Sequence, residues 1–271
     1  MGVLTSGCLQ TEQPVLPQTL QFRQQLCLEC GAGRSQRSVQ MAKSYIPPET
    51  RYRLKILYLF TYYLIQFCGH SWISSNIIAR FLTFGEDSLV DTYYAIGAVM
   101  CSCQLLSNLE LIHLITGIEC GPFLPRFLQM TERNVILYVV IASQEEMQNK
   151  SIVWALFFFW NTLDLIKFTH NMLTSIGSDF YILSWIHHSL WAPLYPSIVL
   201  AEVIAIYQSL PYFELYGTYS FELPGPIGIP VHFPYVLQLY CLILVAGMYS
   251  SCKQFYEERR QFTGKYKIKE Q

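Results

Sequence analysis

The chain has 271 residues, of which only 14% are charged and 52% are hydrophobic, with a mean hydropathy of +0.27. Soluble domains carry about 25% charged residues, so this composition excludes an ordinary water-soluble domain and points to a membrane protein. A net charge of -1 excludes a nucleic-acid-binding surface.

The cations sit at the ends. Of 18 Lys and Arg, seven fall within residues 1–55 and six within residues 253–271. Residues 1–45 are rich in Gln, Ser, Gly and Arg, with no sustained apolar period and no signal-peptide pattern, and read as a disordered cytosolic tail. Cys27 and Cys30 form one CxxC there, and a single pair does not compose a zinc site. The other cysteines sit mostly in apolar runs, where Cys acts as a small hydrophobe, and no disulfide framework is readable.

Six apolar segments long enough to span a bilayer follow, each of roughly 20 residues. They are about Ile56–Ile78, Thr92–Thr116, Phe123–Ser143, Ile152–Ile176, Phe180–Gln208 and Tyr235–Tyr256. Polar residues or prolines interrupt the third and fifth. The Arg80–Asp91 loop is acidic, and the Ser209–His232 loop holds Glu214 and Glu222 without Lys or Arg. Together with the basic ends, this places both termini in the cytosol and requires an even number of spans. The expected fold is therefore all-α: a polytopic helical membrane bundle of about six transmembrane helices over residues 46–256, followed by a basic cytosolic tail, 257–271. Lys267 and Lys269, five and three from the carboxyl end, are similar to a dilysine retrieval signal of the endoplasmic reticulum.

Ionisable groups within spans are costly and mark site candidates. The second segment holds Gln104, Asn108, Glu110 and His113; the third Gln129, Glu132 and Arg133; the fourth Asn161, Asp164, Lys167 and His170; the fifth His187, His188, Tyr195 and Glu202. Most such groups serve as polar glue between helices, and Asp164 with Lys167, three apart, is the expected local ion pair. The six histidines do not form the clustered boxes of iron-dependent lipid enzymes, and Glu110 with His113 is a single Glu-x-x-His. No metal and no cofactor is expected. The nucleophile elbow, the Walker A loop and the GxGxxG loop are all absent.

One constellation carries a mechanism. In Leu194-Tyr195-Pro196-Ser197-Ile198-Val199-Leu200-Ala201-Glu202, the Tyr and Glu are seven apart. On a helix they lie about 20° apart around the axis and roughly 10 Å apart along it. Pro193 and Pro196 remove backbone donors and are expected to bend the helix, freeing carbonyls beside a slot. The arrangement suits an acid and a base acting on adjacent atoms.

Those residues, with Ile206-Tyr207-x-x-Leu210-Pro211 downstream, resemble the 3-hydroxyacyl-CoA dehydratases of very-long-chain fatty-acid elongation. Further matching pieces are Leu109-Glu110-x-x-His113, Leu128-Gln129 with Arg133, Trp160, and Gly217-x-Tyr219-Ser220-x-x-Leu223-Pro224. The run from Tyr62 to Trp72 narrows the likeness to one mammalian branch, and the resemblance covers about residues 50–260. It implies a six-span reticulum enzyme that removes water from a (3R)-3-hydroxyacyl-CoA to give trans-2-enoyl-CoA. The family's catalytic Tyr and Glu fall on Tyr195 and Glu202, and Arg133, Gln129, Glu110 and His113 are the implied substrate-binding residues. Very-long-chain acyl-CoA, membrane lipid and the elongases are the implied partners. A carboxylate in low dielectric is a strengthened base, so Glu202 is assigned to the C2 proton and Tyr195 to the departing C3 hydroxyl, with the reverse assignment open. Arg133, or backbone freed near the prolines, is the candidate for the enolate oxygen.

Asp164, Lys167 and Phe168 stand where that family usually shows Glu, Arg and Tyr, and His187-His188 also depart from its pattern. Lys does not replace Arg where a bidentate contact is needed. A weakly catalytic adaptor that binds elongases or signalling proteins is therefore the competing reading; a lipid transporter is disfavoured by the lack of inverted half-repeats.

Overall fold

A computed structural model describes residues 48–119, 121–178, 180–222 and 230–269. The expected disordered tail, with Cys27 and Cys30, lies outside the described residues, as do Leu223, Pro224 and the last two residues.

Helix follows helix in this order: α1 (Pro48–Phe84), α2 (Asp87–Val90), α3 (Thr92–Ser107), α4 (Leu109–Ile115) and α5 (Phe123–Asn134). A π-helical stretch, Val135–Ile141, extends α5, with the Ala142 N–H bonded five residues back to the Leu137 carbonyl. Then come α6 (Glu145–Gln148), α7 (Ser151–Ser175), α8 (Tyr181–Ser189), α9 (Trp191–Tyr216) and α10 (Phe233–Lys269). An antiparallel ladder of two residues per strand, β1 (Phe221–Glu222) with β2 (Pro230–Val231), closes the turn between α9 and α10. Gly217 ends α9 with φ 63°, the left-handed conformation that a residue without Cβ adopts freely, and its N–H caps the Phe213 carbonyl. The segment 257–269 continues α10 as helix.

The side-chain pattern runs opposite to that of a water-soluble bundle. On α7 the buried positions are Val153, Leu156, Phe157, Trp160, Asn161, Asp164 and Phe168, one stripe at helical spacing. On α9 the stripe is Tyr195, Ile198, Val199, Glu202, Ala205, Ile206, Ser209 and Phe213. The opposite face of α9 exposes Leu200, Ile204 and Tyr207. The inward stripes thus mix polar groups with large apolar ones, while the outward face is apolar, as a helix in lipid requires. α7 lies at the centre, against α1, α3, α8 and α9, while α10 packs on α9. Where α1 meets α3 the helices come close: a Cβ on Gly69 would stand 2.6 Å from the Cys103 sulfur, so any larger residue would displace the Cys103 side chain.

Four runs are long and apolar enough to cross a bilayer: Thr92–Ile115, Ser151–Ser175, Tyr181–Tyr216 and Phe233–Arg260. The chain is a helical membrane protein. The expected count of about six is not reached by this measure. α1 has the length but carries too polar a sequence, and α5 is amphipathic, with Arg126, Gln129, Glu132 and Arg133 within its twelve residues.

Candidate active site

α9 carries Tyr195 and Glu202 on its buried stripe, 6% and 0% exposed. The helix runs from Trp191 through Pro193 and Pro196, and Pro196 offers no N–H to the preceding turn. The Ser197 hydroxyl donates to the Pro193 carbonyl at 2.9 Å, one residue on from the Ala192 carbonyl that Pro196 leaves without its helical donor. Both Tyr195 and Glu202 line one open cavity, whose walls come from α5, α7, α8, α9 and α10.

The two side chains do not touch as a simple pair. The Tyr195 hydroxyl donates to Glu132 Oε2 at 3.3 Å, and the Trp160 indole N–H donates to Glu202 Oε1 at 3.1 Å. Glu132, only 8% exposed, lines the same cavity beside the Glu202 carboxyl. An interaction between two carboxyl groups needs a proton on one of them. The remaining oxygens, Glu132 Oε1 and Glu202 Oε2, are buried and meet no donor. Buried acceptors without donors are rare in folded proteins and call for an explanation.

The other charged groups of the region are bonded to one another. Arg133 lines the cavity and donates to Asp164 at 2.5 Å, with His70 Nε2 4.0 Å from the same carboxylate oxygen. Lys167 donates to both Glu110 oxygens at 2.6 Å, and Arg126 stands 3.7 Å from the same carboxylate. The expected Asp164–Lys167 pair along α7 is therefore replaced by two interhelical pairs. Each side chain reaches a closer opposite charge on another helix, Arg133 of α5 and Glu110 of α4, and a contact across helices holds them better than a weak i,i+3 pair.

The sequence-predicted site residues separate into two sets. Tyr195, Glu202, Arg133 and Gln129 line the cavity. Glu110 stands behind it, holding Lys167 and Arg126. His113 is elsewhere: it bonds the Tyr58 hydroxyl at 2.8 Å and packs edge-on to Tyr62. Glu132 and Lys167, which line the cavity, were site candidates without an assigned role, Arg126 was not a candidate, and Trp160 was noted only as a matching piece. A signal for Glu132 is present in the sequence, because Gln129, Glu132 and Arg133 at i, i+3 and i+4 share one face of α5. Among the described residues no group of three or more His, Cys, Asp or Glu is arranged to hold a metal ion.

Comparison with known proteins identifies a family. Residues 104–265 match the family described as "Protein tyrosine phosphatase-like protein, PTPLA". The chain is 56% identical over 221 residues to human very-long-chain (3R)-3-hydroxyacyl-CoA dehydratase 4, covering 82% of this chain and 94% of that one. It is 51% identical to the mouse protein of the same name, over 85% of this chain and 99% of that one. To the Xenopus laevis very-long-chain (3R)-3-hydroxyacyl-CoA dehydratase it is 52% identical, over 78% of this chain and 98% of that one. No solved structure matches.

Proposed function

The chain belongs to the protein tyrosine phosphatase-like (PTPLA) family, and from that premise we infer that it is a very-long-chain (3R)-3-hydroxyacyl-CoA dehydratase, a hydro-lyase of fatty-acid elongation. The observation that carries the reading is the joint presence of the Tyr195 hydroxyl and the Glu202 carboxyl on the wall of one cavity sunk among apolar helices.

Dehydration removes a proton from C2 and a hydroxyl from C3. Glu202, desolvated and with one oxygen free of donors, takes the C2 proton. Tyr195 gives its proton to the departing hydroxyl, which leaves as water, and the electron pair of the broken C2–H bond becomes the C2–C3 double bond. Negative charge passes through the thioester oxygen on the way. Arg133, fixed by Asp164 with its guanidinium on the cavity wall, is a preorganised cation for that oxygen, and needs no reorganisation at the moment of reaction. Gln129, on the same wall, is a polar contact for the thioester end. Glu110 contributes by holding Lys167 and Arg126 in place. The acyl chain is a very long one, and the elongases that make the substrate and the reductases that consume the product are the expected neighbours.

The same reading puts the protein in the endoplasmic-reticulum membrane as six spans with both termini cytosolic; α1 and the joined α5–π-helical segment supply the two spans beyond the four clearest runs. A glycosylation acceptor inserted near Tyr216 is then modified and one inserted after Tyr266 is not; the opposite result reverses the orientation.

The decisive experiment for the activity compares turnover of a long-chain 3-hydroxyacyl-CoA by wild type, Tyr195→Phe and Glu202→Gln in one detergent. Each substitution lowers kcat on the order of 10²-fold or more, and the double variant loses little beyond the worse single one, because the two act as a unit. Near-normal turnover by Glu202→Gln, or none by wild type, would instead leave the weakly catalytic adaptor.

A further inference from the structure

The dehydratase site contains a third acid–base group that the Tyr195–Glu202 pair does not account for. Glu132 comes from α5, 63 residues before Tyr195 in the chain, yet it accepts the Tyr195 hydroxyl bond and also meets the Glu202 carboxyl. Neither carboxyl is hydrogen-bonded to the cations nearby: Arg133 donates to Asp164, while Lys167 and Arg126 pair with Glu110. Ser251 of α10 stands beside the Tyr195 hydroxyl. Each of the two carboxyls keeps one oxygen without a donor. A single proton held between them supplies one missing donor, and it leaves Tyr195, Glu132 and Glu202 as a continuous chain of exchangeable protons.

We propose that Glu132 relays protons from Glu202 to Tyr195, so that the proton removed from C2 is returned to the departing hydroxyl through the protein and the site resets without bulk solvent. This inference rests on the dehydratase reading. The balance closes in four transfers. At rest Glu132 holds the shared proton and Glu202 is a carboxylate. Glu202 takes the C2 proton to give an enolate on the thioester, and that electron pair then forms the double bond as the C3–O bond breaks. Tyr195 protonates the leaving oxygen to give water and becomes a phenolate. Glu132 gives its proton to that phenolate, and Glu202 passes the C2 proton to Glu132. The net reaction is the loss of one water molecule, with every group back in its starting state. No hydrogen bond joins Glu202 directly to Tyr195, whose hydroxyl donates to Glu132 instead, and Glu132 lies beside both groups. Glu132 is thus a relay and positioning residue, acting through the two groups that meet substrate.

Glu132→Gln tests the relay, because the amide still accepts the Tyr195 hydroxyl bond but cannot hand on a proton. The expected result is a kcat lower on the order of 10²-fold, with KM changed by no more than about threefold. Exchange of the substrate C2 hydrogen with D2O, which needs only Glu202, persists at a rate well above elimination. Glu132→Asp keeps a carboxyl on a shorter arm and recovers at least about tenfold over the Gln variant. Rates are taken per folded molecule, on protein collected as a monodisperse peak after size exclusion, so that loss of yield is separated from loss of chemistry. Near-wild-type kcat in Glu132→Gln, equal rates in the Gln and Asp variants, or loss of C2 exchange in step with elimination would each overturn the relay. If wild type and Glu202→Gln turn over equally, the dehydratase reading itself fails and the relay with it. If Glu202 matters and Glu132 does not, only the relay is lost.

Discussion

Two polar regions of the bundle differ in what their groups face. Between α1, α3, α5 and α7 the polar side chains bond one another across helices, with Gln66 Oε1 and His70 Nε2 left without a hydrogen bond. Gln66 donates to the Cys103 carbonyl at 3.1 Å and to the Ser107 hydroxyl at 2.9 Å. His70 bonds Asn161 at 2.8 Å, and Asn161 donates to Ser74 at 2.6 Å. Gln104, Asn134 and Asn108 form a chain, and Arg133 closes on Asp164. Around Glu202, by contrast, two carboxyls and a phenol crowd against an open cavity with acceptors left over. The contrast teaches how to tell glue from chemistry inside a membrane protein. Groups that stabilise the bundle are tied to partners across helices, because an unmet polar group in low dielectric costs free energy. Groups that act on a substrate border a cavity, where their remaining capacity is open to the substrate.

That difference is sharpest in stability measurements, taken from largest to smallest expected effect. Asp164→Asn removes the counter-charge of Arg133 and leaves a mostly buried guanidinium without an anion; breaking such a pair costs about 3 kcal/mol, read as a fall in detergent melting temperature and in folded yield. A variant as stable as wild type would show that water in the cavity already solvates Arg133. Gln66→Ala, at a position 0% exposed, removes two interhelical bonds, with an expected loss of about 0.6–1.7 kcal/mol, the range for single polar contacts between membrane helices. Its turnover per folded molecule should stay close to wild type; a selective loss of turnover would move Gln66 into the active region. Glu202→Gln and Tyr195→Phe should change stability least, by less than about 0.5 kcal/mol, because neither opens a cavity and Gln still accepts the Trp160 N–H. A stability loss comparable with that of Asp164→Asn would put Glu202 among the glue residues and erase the distinction.

The same division explains what was legible before any coordinates. The spacing of Tyr195 and Glu202 fixes their shared face because both lie on one helix, where seven residues make nearly two turns. Partners across helices were not legible in this way. The local reading paired Asp164 with Lys167, but packing supplied Arg133 and Glu110 as closer opposite charges. His113, grouped with the site by its motif, turns instead to Tyr58. The four most apolar runs could be read from composition, while α1 and α5 carry too many inward polar groups to register as spans by hydropathy.

The sequence by itself determined that this is a helical membrane protein, which stripes of α7 and α9 carry polar groups, and that one helix presents a phenol and a carboxyl to a common side. Those properties depend on residue type and on helical periodicity, which are local. Only the tertiary structure decided that Glu132 joins that pair, that Trp160 bonds Glu202, and that Arg133 is held by Asp164 at the cavity wall. These contacts join residues 31 to 63 positions apart, and no local rule sets them. They arise because helices bury their polar stripes against one another, and the meeting of those stripes depends on how α5, α7 and α9 pack.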